Sequence, residues 1–191
     1  DAAISPNTGD IFVTDGYGNS RVHKYRSDGT LILSWGEPGT DAGQFIRPHN
    51  IVVDWEDNVY VADRECHRVQ VFDTVGRFIT MWNNIHRPDG MAIGPDGNIY
   101  IGELNGMPGV DDAPGLGHRI SVLDRRGGLL ARLGDPQEGE EPGKFIAPHG
   151  IAVDSHGDIY VGEVCYTIRG RHRNPPQKLK SLKKLRKVSQ N

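Results

Sequence analysis

Cysteine is scarce in this sequence. Only Cys66 and Cys165 are present, too few for the disulfide framework that holds a coreless secreted domain together. Their spacing carries no metal-ligand pattern, and two free buried thiols are the expected state. Long apolar runs are missing too, so no membrane-spanning helix is expected. Acid is absent from the last stretch: no Asp or Glu follows Glu163, whereas nine of the 22 basic residues follow Ile168. The body through Thr167 therefore carries 13 basic and 25 acidic residues. Such a body is a poor nucleic-acid surface, because affinity there comes from neutralised phosphates. The chain begins at Asp1 with no charged-then-apolar leader, so either a signal peptide has been removed or the true start lies upstream.

Glycine and proline are abundant, at 25 and 12 of 191 residues. They supply the backbone angles of tight turns and point to an all-β protein. Internal repeats give that expectation its form. A short apolar run ending in a carboxylate occurs four times, as Ile11-Phe12-Val13-Thr14-Asp15, Val59-Tyr60-Val61-Ala62-Asp63, Ile99-Tyr100-Ile101-Gly102-Glu103 and Ile159-Tyr160-Val161-Gly162-Glu163. β-branched and aromatic runs of this length read as buried strands. Three of them follow a proline motif: Arg47-Pro48-His49, Arg87-Pro88-Asp89 and Ala147-Pro148-His149. After the carboxylate come Ser20-Arg21-Val22, His67-Arg68-Val69 and His118-Arg119-Ile120, and then a closing strand at Leu31–Trp35, Phe78–Trp82 and Leu129–Leu133.

The unit is thus a four-stranded propeller blade. The sequence holds about three and a half of them over residues 1–167, followed by a basic tail over 168–191. Three and a half blades leave strand edges open, so the chain reads as an internal portion of a longer one or as one partner of an assembly. In the tail, Leu179, Leu182 and Leu185 recur every third residue and predict a helix from 177, lying free on the surface or docked on the acidic body. The insert from Asn105 to Gly117 is a candidate functional loop.

Equivalent positions of successive blades meet around one channel, so a repeated residue type becomes a ring. His49, Asp89 and His149 share one slot, and two converging imidazoles with a carboxylate could begin a metal site. Asp15, Asp63, Glu103 and Glu163 share another, where a cation or arginines must balance the charge. Arg64 could clamp a substrate carboxylate. Tyr17, beside a metal cation, would be easier to deprotonate and could serve as a base.

The order Asp15-Gly16-Tyr17-Gly18-Asn19-Ser20-Arg21, Gly43-Gln44-Phe45-Ile46-Arg47-Pro48-His49, Val61-Ala62-Asp63-Arg64-Glu65 and Pro148-His149 resembles the NHL-repeat β-propeller domain of the peptidyl-α-hydroxyglycine α-amidating lyases. The resemblance implies a six-bladed ring, a zinc ion on three central histidines, a structural calcium and a secreted or periplasmic setting. It implies cleavage of peptidyl-α-hydroxyglycine to a peptide amide and glyoxylate, acting on a peptide or small-molecule substrate. His49 and His149 would be two zinc ligands, Tyr17 the base and Arg64 the substrate-orienting group. Gly150 stands where the family has a calcium-binding acid, Gly18, Tyr60 and Val71 replace family cysteines, and a third histidine is not found. Two other functions stay open: a non-catalytic NHL propeller that binds a protein or peptide, and a calcium-dependent lactonase-like hydrolase using the carboxylate ring.

Overall fold

The computed structural model describes residues 1–106 and 116–188. Most of the insert marked above as a candidate loop, from Met107 to Gly115, lies outside the described residues. Two compact units divide the chain, Asp1–Pro88 and Asp89–Asn191. In the first, β1 (Ala2–Ile4), β2 (Ile11–Asp15), β3 (Arg21–Tyr25) and β4 (Leu31–Trp35) form one antiparallel sheet in chain order. A second sheet follows from β5 (Pro48–Val53), β6 (Val59–Asp63), β7 (Arg68–Phe72) and β8 (Phe78–Trp82). The other unit repeats the plan with β9 (Pro88–Ile93), β10 (Ile99–Glu103), β11 (Arg119–Leu123) and β12 (Leu129–Leu133). Its last sheet has three strands, β13 (Pro148–Val153), β14 (Ile159–Glu163) and β15 (Leu182–Leu185). The chain is all-β and built of propeller blades, and its fourth sheet exceeds the half blade the repeats imply because residues of the tail add β15.

Aspartates close the turns. Asp54 accepts the amides of Glu56 and Asn58, both at 2.9 Å, and the Tyr60 hydroxyl at 2.9 Å. One unit later, Asp154 does the same with His156, Asp158 and Tyr160. Burial works against the Asp154 charge, yet the Asp158 and His156 amides and the Tyr160 hydroxyl hold its carboxyl below the ordinary range. Between third and fourth strands, Asp73 and Asp124 each take two amides. The glycines that follow, Gly76 (φ 78°) and Gly127 (φ 84°), adopt the left-handed backbone those turns need.

Neighbouring blades within a unit share a core. Phe12, Val22, Phe45, Ile51, Val59, Val61 and Phe72 are buried together in the first unit. Tyr100, Ile120, Val122, Phe145, Ile159 and Val161 form the counterpart in the second. Phe45 and Phe145 come from the loops that enter β5 and β13, so each loop plugs the seam between two blades.

Over the described residues 177–188 the tail is not helical. Its residues 182–185 form β15, paired antiparallel to β14 from Gly162↔Leu182 to Ile159↔Leu185. A helix would keep Leu179, Leu182 and Leu185 on one face. Here Leu179 and Leu185 pack against separate cores while Leu182 stays exposed. The open edge of β14 and ion pairs from Lys184 to Asp158 (2.8 Å) and Lys183 to Glu163 (3.0 Å) decide the outcome. The helical elements in this stretch are Cys165–Ile168 and the 3-10 turn Gly170–His172. Cys165 is buried, but Cys66 is only half-buried, against the expectation of two buried thiols.

Truncating Phe45 to alanine empties the seam and is expected to lower the unfolding free energy by about 3–5 kcal/mol. Ile46→Ala, one residue on and largely exposed, should change it by about 0.5 kcal/mol or less. Urea denaturation of both variants checks this, and equal losses would refute the plug.

Candidate functional site

The four strand-end carboxylates are engaged inside their own blades. Asp63 is fully buried, takes the Arg68 Nε at 2.8 Å and accepts the Ile46 amide at 2.8 Å. Arg68 in turn spends its remaining donors on the carbonyls of Thr40, Asp41 and Gln44. Burial pushes the Asp63 carboxyl up, with Arg68 and the Ile46 amide opposing. Glu103 takes Arg119 Nη2 at 2.8 Å and the Ser121 hydroxyl. Glu163 accepts the amides of Ile146 (2.6 Å) and Ala147 (2.9 Å) and pairs with Lys183. Asp15 accepts Asn19 Nδ2 at 2.6 Å and lies 3.7 Å from His23. Arginine, lysine and donor groups of the backbone and of Ser121 thus supply the balance at Asp63, Glu103 and Glu163, and Asn19 with His23 does so at Asp15.

Those amides have a positional consequence. Ile46 and Ile146 immediately precede the proline motifs and Ala147 opens one, so Asp63 and Glu163 fasten the entry to β5 and β13. Pro48 pairs with Asp63 and Pro148 with Glu163 across the sheet. The register then shifts, between Pro48 and Ile51 in one blade and between Pro148 and Gly150 in the other. His49 and His149 sit in these irregularities. A β-bulge is a common device for re-aiming a side chain within a strand.

In the first unit, the Tyr17 hydroxyl lies 3.3 Å from His49 Nε2, with the rings edge to face at 5.9 Å. Gly16 makes the approach possible. A Cβ there would stand 2.1 Å from the Pro48 carbonyl oxygen, so only glycine lets the Tyr17 turn rest on the His49 strand. Tyr17 is 74% exposed. The guanidinium carbons of Arg47 and Arg64 lie 5.2 and 5.8 Å from its ring centre. Arg64 does not pair with Asp63; it donates to Glu65 at 2.9 Å. Glu65 also takes two bonds from Arg87, at 3.1 and 3.0 Å, and lies 3.6 Å from Arg47. Burial opposes the Glu65 charge, but Arg87 and Arg64 overcome it and hold the carboxyl below its ordinary value.

In the second unit, His149 Nε2 lies 3.6 Å from Asp89 Oδ1, and Asp89 is fully buried. A glycine again permits the approach: a Cβ on Gly90 would stand 2.1 Å from the His149 carbonyl oxygen. The cysteines play no part. Burial, then the charge of Asp63, pushes Cys66 up to about 11; burial, then Glu163, does the same to Cys165. Neither is a nucleophile at neutral pH. Glu65, Arg47, Arg87, Gly16 and Gly90 were not singled out by residue type alone. The repeated Arg-Pro slot and the glycine beside each site residue were the available signals.

Two outcomes follow. The Glu65 carboxyl is depressed from 4.5, so its contribution is complete above that pH and fades as pH falls through the lower folded value. Urea midpoints measured from pH 7 to 3 should therefore fall more steeply for wild type than for Glu65→Gln at the acid end; parallel curves would contradict it. Gly16→Ala should destabilise the protein by about 1–3 kcal/mol through overpacking and perturb the His49 ring signals in NMR, whereas Gly18→Ala, in open space, leaves those signals in place.

The NHL repeat family model matches residues 45–72. Peptidyl-glycine alpha-amidating monooxygenase B of Xenopus laevis is 32% identical over 175 residues, covering 85% of this chain and 19% of the relative. Human NHL repeat-containing protein 3 is 32% identical over 169 residues, with 83% and 45% covered. Peptidyl-alpha-hydroxyglycine alpha-amidating lyase 1 of Drosophila melanogaster is 32% identical over 177 residues, with 83% and 32% covered. The chain therefore spans less than half the length of each of these relatives. Among solved structures, Kuenenia stuttgartiensis hydrazine synthase aligns with a TM-score of 0.64 at 17% identity, over 85% of this chain and 41% of that one. The WD40 β-propeller domain of Doa1 aligns at 0.56 and 13%, over 85% and 47%. With blades in the structure, an NHL repeat in the sequence and amidating enzymes among its relatives, the chain is an NHL-repeat β-propeller protein that resembles the peptidyl-α-hydroxyglycine α-amidating lyases.

Proposed function

We propose that this chain carries a metal-dependent lyase site of the peptidylamidoglycolate type, which splits peptidyl-α-hydroxyglycine into a peptide amide and glyoxylate. The observation that carries the reading is the Tyr17 hydroxyl 3.3 Å from His49 Nε2, with Arg64 against the same ring. These are the residues that the resemblance assigns to base, metal ligand and substrate orientation.

The donor chemistry fits zinc. His49 and His149 each offer an imidazole nitrogen from an irregular strand position, and the buried Asp89 carboxylate beside His149 suits either a ligand or a ring-orienting partner. A bound zinc would polarise the substrate hydroxyl and stabilise the negative charge that develops on it. Tyr17 takes the hydroxyl proton. The C–N bond then breaks as the carbon–oxygen double bond of glyoxylate forms, and the amide nitrogen receives a proton. Arg64 orients the substrate carboxylate. Calcium has no side-chain oxygen to meet at Gly150, and we assign it no role there.

A non-catalytic NHL propeller is the second reading. It is favoured by the likeness to NHL repeat-containing protein 3 and by the exposed Tyr17 with Arg47, residue types that dominate binding hot spots. A lactonase-like calcium site is not taken further, because Asp63, Glu103 and Glu163 are engaged by basic residues and amides. No helix among the described residues is long and apolar enough to cross a membrane.

Metal analysis of zinc-replete protein should find about one zinc per chain, lost in the His49→Ala, His149→Ala double variant. Tyr17→Phe should keep the zinc and lose glyoxylate release from a peptidyl-α-hydroxyglycine by about 100-fold or more. Protein that takes up no zinc would sink the lyase reading and leave the binding propeller.

A further inference from the structure

We propose that His67 and His86 form a binding site for a divalent transition-metal ion, Cu²⁺ or Ni²⁺, other than the site assigned to His49 and His149. It does not rest on the lyase reading.

Both histidines lie in the first unit. His67 closes the 3-10 turn Arg64–Cys66 that leads into β7, and His86 lies in the loop between β8 and β9. Their Nδ1 atoms stand 3.2 Å apart, and both residues are half-buried. Metal–imidazole bonds of about 2.05 Å hold two ligand nitrogens roughly 2.9 Å apart at a right angle and roughly 3.4 Å apart at the tetrahedral angle. A hydrogen bond between two rings has a similar length, but a straight one would keep the ring centres about 5.5 Å apart. Here the centres are 4.7 Å apart, with the planes at 46°. The nitrogens meet at an angle, which weakens a hydrogen bond and suits two ligands of one ion. The Arg87 amide also reaches His67 Nδ1, at 3.3 Å, and that long contact would yield to the metal.

The repeats show that the blade does not demand this pair. The slot before the arginine of the third strand reads Ser20, His67 and His118 before Arg21, Arg68 and Arg119. All three hold a left-handed backbone, at φ 52°, 54° and 40°, so serine makes the same turn. The slot two residues before the motif proline reads Ile46, His86 and Ile146, so isoleucine fills it in the other copies. In one blade both slots carry histidine, and there the two rings meet. Two imidazole nitrogens select ions of borderline softness, Cu²⁺ above Ni²⁺ and Zn²⁺, over Mg²⁺ and Ca²⁺, which take oxygen ligands. Cys66 turns its thiol to the Gly39 carbonyl instead. Among the described residues no third histidine, thiol or carboxylate joins the pair, so water completes the shell. Zn²⁺, lower in the series, is lost from two ligands on desalting and leaves the zinc count expected above unchanged.

The test titrates Cu²⁺ into the His49→Ala, His149→Ala variant, followed by calorimetry and electron paramagnetic resonance. About one Cu²⁺ per chain should bind, with coupling to two imidazole nitrogens, and excess Mg²⁺ should not displace it. His86→Ile and His67→Ser, added singly, place in each slot the residue that another blade carries there. Each should weaken Cu²⁺ binding at least about tenfold and reduce the coupling to one nitrogen. An unchanged affinity or an unchanged two-nitrogen spectrum in either variant overturns the proposal, as does a parent variant that takes up no Cu²⁺. Wild type that takes up no zinc, with this copper binding intact, sinks the lyase reading and upholds this one.

Discussion

A carboxylate buried at the end of the second strand in a blade needs a positive partner and donors for its remaining lone pairs. Taking it out of water unpaired would cost several kcal/mol. Asp63 meets the demand with Arg68 and the Ile46 amide. Glu163 meets it with Lys183 and the amides of Ile146 and Ala147. Because the donors lie on the loop just before Pro48 and Pro148, neutralising the charge also fixes where those strands begin. The plugging phenylalanines, Phe45 and Phe145, sit on the same loops. One buried charge thus ties the seam core, the strand entry and the histidine that follows into a single arrangement.

The same demand accounts for the tail. In the other blades the third strand supplies an arginine at the position facing the carboxylate, as in Asp63↔Arg68 and Glu103↔Arg119. After Glu163 no such motif follows directly. The chain detours through the turns at 165–172 and returns as β15, placing Lys183 on Glu163 and Lys184 on Asp158. The partner is offset, since Lys183 faces Val161 across the sheet rather than Glu163, and a longer reach from the lysine stem makes up the difference. The basic tail and the acidic body complement each other through strand pairing, not through a helix dipole or a diffuse surface charge.

Most of the fold could be read from the residues. Short apolar runs at fixed spacing, with Asp or Gly between them, leave little choice but antiparallel blades. What could not be read were the places where tertiary context outweighs local pattern. Leu179, Leu182 and Leu185 satisfy a helical period as well as any amphipathic segment, and only the open edge of β14 tips the balance. The carboxylates were recognisable as a repeated type, but burial and partner decide whether such a residue faces ligand or locks a blade, and a sequence displays neither. Within the site, Tyr17, His49 and Arg64 were legible through the motif order. Glu65 and Arg87 were not, because what joins them is a contact across 22 residues. Gly16 was visible yet mute: a missing Cβ announces close approach without naming what approaches.

Repeats offer a control that a single site lacks. Where three blades share a backbone plan, a residue the plan needs recurs in every copy, as the strand-end carboxylate does. A residue that differs between copies answers to something other than the plan. The slot before the motif proline reads arginine, arginine and alanine; the slot after it reads histidine, aspartate and histidine. The strands β5, β9 and β13 form with every version, so forming the strand does not by itself select among them. The variable slots lie beside the bulges, next to Tyr17 in one unit and next to Asp89 in the other, while the constant ones lie in the seams. Chemistry in this protein is therefore to be sought where the blades disagree, at the head of the first strand in each, and stability where they agree.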